Sequence, residues 1–195
     1  VSLNSGANVL EALQAKGVQA FAVDGIPALL ELLVLKKVDR VFNILHGNKG
    51  GGEDGVLQGL LEAFGVPYTG SDVLGSSLSM DKIRTKQVWM AVGLPTPRYV
   101  RLAPGADISA AAAQLGLPLI VKPSNGGSTV GLTLVKAPEG VDDAVALALA
   151  TDRDVMLERF LPGREFTVGI LGQEALAVGE ILLPREIFDY ECKYT

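Results

Sequence analysis

The sequence holds one cysteine, Cys192, one histidine, His46, and one tryptophan among 195 residues. A single thiol excludes an internal disulfide framework and fits a reducing cytosol, so a cytoplasmic protein is expected. Basic charge is also short: 17 Lys and Arg against 22 Asp and Glu give a net charge of -5 and a pI near 4.9. Without a basic surplus to coat a phosphate backbone, nucleic acid is not an expected partner. Long apolar runs are missing as well. The longest, residues 26–35, carries Glu31 and falls short of the roughly 20 residues that span a bilayer, so no membrane partner is expected either. No basic stretch or small-residue cleavage site marks the start. The chain opens on Val1 and stops at Tyr194-Thr195 without a closing element, so both ends read as truncated. Finally, no G-x-G-x-x-G joins a strand to a helix and no G-x-x-x-x-G-K-[ST] occurs, which disfavours a nicotinamide enzyme and a P-loop.

What is present is a globular composition, 48% apolar and 20% charged. Over the first eighty residues helical and strand periodicities alternate, the pattern of an α/β layer on a mainly parallel sheet. Ser5 can cap a helix carrying Val9, Leu10 and Leu13 on one face, with Gly17 ending it. Strands are expected at residues 18–23 and 40–45, and helices at 27–37 and 56–64, the latter closed by Gly65. Between them lies the polar, glycine-rich loop 46–55. A boundary is expected within residues 69–79, where Gly70, Ser71, Gly75, Ser76 and Ser77 cluster. Beyond it come a helix at 81–92, an extended Leu94-Pro95-Thr96-Pro97 connector, a strand at 99–102, a helix at 108–115 and a strand at 119–122. Strands at 130–135, 155–160 and 165–171 and a helix at 141–150 complete a second, α+β part. No internal repeat is present.

The segment from Leu119 to Gly131 is the most informative. It runs a buried strand into Lys122-Pro123 and then a loop of glycines and hydroxyls, Ser124-Asn125-Gly126-Gly127-Ser128-Thr129. Backbone N–H groups of such a loop can converge on phosphate oxygens while the ammonium neutralises charge. On spacing alone it fits a tight hairpin equally well. Further on, Glu158 and Glu165 flank the strand end Arg159-Phe160-Leu161. Carboxylates there can accept from an adenine amine or ribose hydroxyls, and in isolation they also fit a solvated strand end.

Taken in order, these segments resemble D-alanine:D-alanine ligases of the ATP-grasp superfamily. The resemblance rests on Val1-Ser2-Leu3-Asn4-Ser5-Gly6, His46-Gly47 through Gly52-Glu53-Asp54-Gly55, Pro67-Tyr68-Thr69-Gly70-Ser71 and Ser79-Met80-Asp81-Lys82. It continues through Val121-Lys122-Pro123, Gly127-Ser128-Thr129-Val130-Gly131, Glu165-Phe166-Thr167-Val168 and Asp189-Tyr190-Glu191-Cys192-Lys193-Tyr194. It implies an α/β fold: an N-terminal doubly wound parallel-sheet domain over residues 1–79, an α+β ATP-grasp central domain over 80–164, and the start of the C-terminal ATP-grasp domain over 165–195.

The activity it implies is ATP-dependent joining of two D-alanines through a D-alanyl phosphate, for peptidoglycan synthesis. Lys82, Lys122 and Lys193 match lysines that hold nucleotide phosphates, with Ser128 and Thr129 in the loop beside them. Glu158, the backbone at Arg159, Phe160 and Leu161, and Glu165 match the adenine and ribose site. His46 matches a contact to the first D-alanine. Ser128 and Tyr194 match two members of a hydrogen-bonded triad whose third member, a glutamate, would precede Val1. Magnesium or manganese is implied, with ligands beyond this chain, so no metal ligand is named. A homodimer is implied too. Related alternatives are another ATP-grasp ligase, a ligase forming D-alanyl-D-lactate or D-alanyl-D-serine, and a nucleotide-binding protein without turnover. The Lys193-Tyr194 pair favours the alanine enzyme among them.

Overall fold

The computed structural model describes residues 2–47 and 52–182, a mixed α/β chain in two compact units. One comprises Val1–Thr96 with Ser124–Gly127, the other Pro97–Pro123 with Ser128–Thr195. Among the described residues no helix is long and apolar enough to cross a membrane.

The first unit holds helices α1 (Ser2–Ala15), α2 (Gly25–Val34), α3 (Val56–Ala63), α4 (Val73–Met80) and α5 (Lys82–Ala91). Its core is built from i, i+4 pairs, Leu29 and Leu33 on α2 and Leu57 and Leu61 on α3, all buried. Burial of each such leucine stabilises the unit by roughly 2 kcal/mol. Val23, Val41, Leu45 and Tyr68 pack around them. Helix α1 stops as expected. Gly17 takes a left-handed φ of 79°, its N–H bonds to the Gln14 carbonyl, and the Val18 N–H bonds to the Leu13 carbonyl. Gly65 closes α3 in the same way. After α2 the equivalent position is Lys36, at φ 53°.

Two expectations for this unit are corrected. Residues 18–23 form no strand; the Ala20 N–H turns back onto the Val18 carbonyl at 2.8 Å, which spends ladder-forming groups locally. Residues 40–45 contribute only an isolated parallel bridge, Val41 to Tyr68, with Val41 N–H on Pro67 O at 2.9 Å and Thr69 N–H on Val41 O at 3.1 Å. Apolar alternation makes a segment strand-competent, but a ladder also requires a neighbouring strand. The serine-glycine cluster at 73–80 is helix α4. Asp72 caps it by accepting from the Gly75 N–H at 2.7 Å, which outweighs the weak helix propensity of its serines and glycine.

The second unit is an antiparallel sheet with strand order β1-β4-β2-β3, from β1 (Tyr99–Leu102), β2 (Leu119–Pro123), β3 (Thr133–Val135) and β4 (Val155–Arg159). Helices α6 (Ile108–Leu115) and α7 (Val141–Thr151) cover one face. Side chains alternate along each strand. Leu119 and Val121 of β2 and Val155 and Leu157 of β4 therefore join Ala112, Leu115, Val145 and Ala148 in the core. The residues between them, Ile120 and Lys122 on β2 and Met156 and Glu158 on β4, share the opposite face. Strand β3 is shorter than the expected 130–135, because Ser128, Thr129 and Gly131 all take positive φ and delay the ladder to Thr133. A separate hairpin, β5 (Glu165–Leu171) and β6 (Glu174–Ile181), pairs only with itself among the described residues. Strand β6 was not anticipated, since its alternation is carried by small residues, Ala175, Ala177 and Gly179.

Candidate functional site

The first unit gathers the histidine loop and Lys82 around one open pocket of about 520 Å³, lined among others by His46, Glu53, Gln58, Lys82 and Gly126. His46 Nδ1 lies 2.9 Å from the Ile44 carbonyl; a carbonyl only accepts, so Nδ1 is the donor of this bond and Nε2 is left for other contacts. The loop is clasped by Glu53, whose carboxylate accepts from the Gly47 N–H while its own N–H donates to the Gly47 carbonyl at 3.1 Å. Gly52 anchors the other end. Its carbonyl accepts from the amides of both Asn43 and Gln58 at 2.9 Å, and its φ of 105° leaves no space for a side chain, since a Cβ would stand 2.6 Å from that of Leu45.

Lys82 opens α5. Its ammonium lies 2.7 Å from the Gly126 carbonyl and 3.3 Å from that of Ser124, so the lysine and the glycine-rich tetrapeptide Ser124–Gly127 meet within one unit. Asp81, just before it, is buried and caps the helix by accepting from the Arg84 N–H at 3.0 Å. Burial alone would raise this carboxyl. The Arg84 amide, the Ser124 hydroxyl and the Arg84 guanidinium outweigh that effect and hold it below its ordinary value.

In the second unit Lys122 and Glu158 form an ion pair, Nζ to Oε2 at 2.5 Å, on the sheet face away from the helices. Lys122 stands opposite Met156 and Glu158 opposite Ile120, so the pair is diagonal across β2 and β4, within reach of long side chains. Beyond Glu158 the backbone stays paired on both sides for two more residues: the Arg159 N–H bonds to Arg98 O at 2.9 Å and the Phe160 N–H to Pro118 O at 3.2 Å. Arg159 and Leu161 are exposed, and Glu165 is exposed at the start of β5, opposite Ile181. Ser128 and Thr129 sit at φ 51° and 59°. Left-handed backbone is rare for a β-branched threonine, and such strain concentrates where geometry serves a function. Lys193 and Tyr194 lie outside the described residues. Among the described residues no group of three His, Cys, Asp or Glu could hold a metal ion.

Sequence reasoning passed over Asp81, Ser124 and Gln58 as site residues. Asp81 had a readable signal, an N-cap residue immediately before a helix. Ser124 was legible only as part of the glycine-rich loop and Gln58 not at all, because their burial and partners are products of tertiary structure.

Comparison with known proteins covers both halves of the chain. Residues 25–71 match the family profile "D-ala D-ala ligase N-terminus" and residues 88–195 match "D-ala D-ala ligase C-terminus". A D-alanine--D-alanine ligase of Xanthomonas axonopodis pv. citri is 59% identical over 197 residues, covering all of this chain and 62% of the relative. One from Xylella fastidiosa is 54% identical, with 100% and 65% covered. The chain thus spans under two thirds of the length of these relatives. Among solved structures, a D-alanine--D-alanine ligase from Bacillus anthracis superposes with a TM-score of 0.83 at 31% identity, over 97% of this chain and 62% of that one. A structure of the Bacillus anthracis ligase complexed with ATP gives 0.70 at 32% identity, over 82% and 53%.

Proposed function

The chain belongs to the D-alanine–D-alanine ligase family, and from that membership we propose that it carries the N-terminal and central parts of an enzyme joining two D-alanines at the expense of ATP, for peptidoglycan precursors. The observation that carries the reading is the shared pocket of His46 and Lys82. An amino-acid contact and a phosphate-binding cation beside one cavity suit a reaction between a carboxylate and a phosphoryl group.

The proposed chemistry has two steps. An oxygen of the first D-alanine's carboxylate bonds to the γ-phosphorus of ATP as the bond to the β-bridging oxygen breaks, leaving D-alanyl phosphate and ADP. The free amine of the second D-alanine then attacks the acyl carbon, and phosphate leaves as the amide forms and the nitrogen loses its extra proton. Lys82, Lys122 and Lys193 hold phosphate oxygens whose charge shifts during transfer. The glycine-rich loop, with Ser128 and Thr129, covers the phosphates. Glu158, Glu165 and the backbone of Arg159 to Leu161 take the adenine and ribose, His46 orients the first D-alanine, and Ser128 with Tyr194 closes the site against water, which would otherwise hydrolyse the acyl phosphate.

Among the described residues no group of three His, Cys, Asp or Glu could hold a magnesium ion, and its ligands are assigned to residues outside this chain. The proposed layout is an N-terminal α/β domain over 1–79, a central ATP-grasp domain over 80–164 and the start of a C-terminal domain from 165, in a cytoplasmic homodimer. The test separates the two substrates. In the ligase carrying this chain, Lys82→Ala and Lys122→Ala raise KM for ATP, while His46→Ala raises KM for D-alanine and leaves ATP little changed. ATP affinity untouched by either lysine variant contradicts the phosphate assignment.

A further inference from the structure

We propose that Asp81 and Ser124 are positioning residues that hold Lys82 and the glycine-rich loop in register for a nucleotide phosphate, with Lys82 exchanging the Gly126 carbonyl for phosphate oxygens on binding. The inference rests on the phosphate role proposed for Lys82 and assigns a function to two side chains which that role leaves unused.

Besides the ammonium contact of Lys82, three hydrogen bonds tie Ser124 to three consecutive residues. Its hydroxyl donates to Asp81 Oδ1 at 2.8 Å and accepts from the Ile83 N–H at 3.3 Å, and its carbonyl accepts from the Lys82 N–H at 3.0 Å. A serine hydroxyl has one proton to give, so the direction of each bond is fixed by its partner. Ser124 is 1% exposed and Asp81 7%, so water does not compete for these bonds. The clasp joins positions 43 residues apart and carries both an ammonium and the loop whose carbonyls that ammonium touches.

Asp81 is engaged on both oxygens, Oδ1 by Ser124 and the Arg84 N–H and Oδ2 by the Arg84 guanidinium. The lysine backbone is therefore fixed while its long side chain can swing. Neutral carbonyls hold an ammonium less strongly than a phosphate does. An arriving phosphate competes with the Gly126 carbonyl for the Lys82 ammonium while the clasp keeps the Lys82 backbone in place.

The experiment uses the ligase carrying this chain, with MgATP as the probe. Ser124→Ala removes the clasp. Asp81→Ser keeps a helix cap but is too short to reach Ser124, so it reads the same loss with little change in the buried surroundings. Asp81→Asn keeps acceptors for both the hydroxyl and the Arg84 amide. The expected result is a rise of roughly tenfold in Kd and KM for ATP in Ser124→Ala and Asp81→Ser, with KM for D-alanine within about twofold and recovery in Asp81→Asn. A parallel change in both substrates' KM that follows the fall in thermal midpoint, or unchanged ATP binding in Asp81→Ser, overturns the proposal. Lys82→Ala separates the two ideas. If it weakens ATP binding and the clasp variants do not, the positioning role alone fails; if it also leaves ATP binding unchanged, the phosphate role of Lys82 fails with it.

Discussion

Lys122 Nζ stands 2.5 Å from Glu158 Oε2, joining β2 to β4 across the helix-free face, with side chains only 18% and 12% exposed. At that burial a lost partner costs more than the pair contributes, because the remaining charge stays desolvated. Glu158→Ala is expected to destabilise the second unit by roughly 3 kcal/mol, while the double change Lys122→Met with Glu158→Leu stays within about 1 kcal/mol of the parent. Urea unfolding of the three proteins checks this. Equal losses in the single and double variants contradict it.

Tyr68 supplies a pH test. Its hydroxyl donates to Glu62 Oε1 at 2.7 Å. Burial first, then that bond and the negative charges of Glu62 and Asp72, push the phenol up from 10.0 to about 12. A raised pKa means that the fold resists deprotonation. The contribution is therefore whole below pH 10 and is lost as pH climbs from 10 to about 12. Denaturant midpoints across that range should fall more steeply for the parent than for Tyr68→Phe. Identical slopes count against the assignment.

Lys36 occupies the left-handed position that Gly17 and Gly65 fill at other helix ends. Its Cβ is strained there while its side chain is exposed. Lys36→Gly should raise stability by about 0.5–1 kcal/mol, whereas Lys36→Ala, equally strained, gains nothing. A shift in denaturation midpoint for glycine alone is the expected reading.

Gly52 governs the histidine loop. An alanine there combines an unfavourable φ of 105° with a 2.6 Å approach to Leu45 Cβ, so the loop must move. The expected result of Gly52→Ala is a loss of more than about 1 kcal/mol of stability together with a raised KM for D-alanine. Unchanged binding would separate the pocket from the first substrate.

Legibility in the sequence followed locality. Strand β1 and helix α6 match the expected bounds residue for residue, because Pro97, Gly105 and Gly116 punctuate them and their own periodicity defines them. Helix α4 was hidden by serine and glycine, whose helix depends on the Asp72 cap. The expected parallel sheet around residues 18–45 needed partners that no local pattern supplies. Lys122 and Glu158 could each be noticed, but their contact depends on the register of β2 against β4. The left-handed Ser128-Thr129 turn and the Ser124 clasp left no mark in residue type at all. Lys193 and Tyr194 lie outside the described residues.

The central claim is substrate and reaction together, and one assay tests both. The full-length protein that carries this chain is supplied with ATP and magnesium, and with D-alanine alone or D-alanine plus D-lactate; phosphate release is followed and the products are weighed by mass spectrometry. D-Alanine-dependent phosphate release with D-alanyl-D-alanine as the main product in both mixtures is the predicted result. Phosphate release that ignores D-alanine, or D-alanyl-D-lactate as the main product, contradicts it.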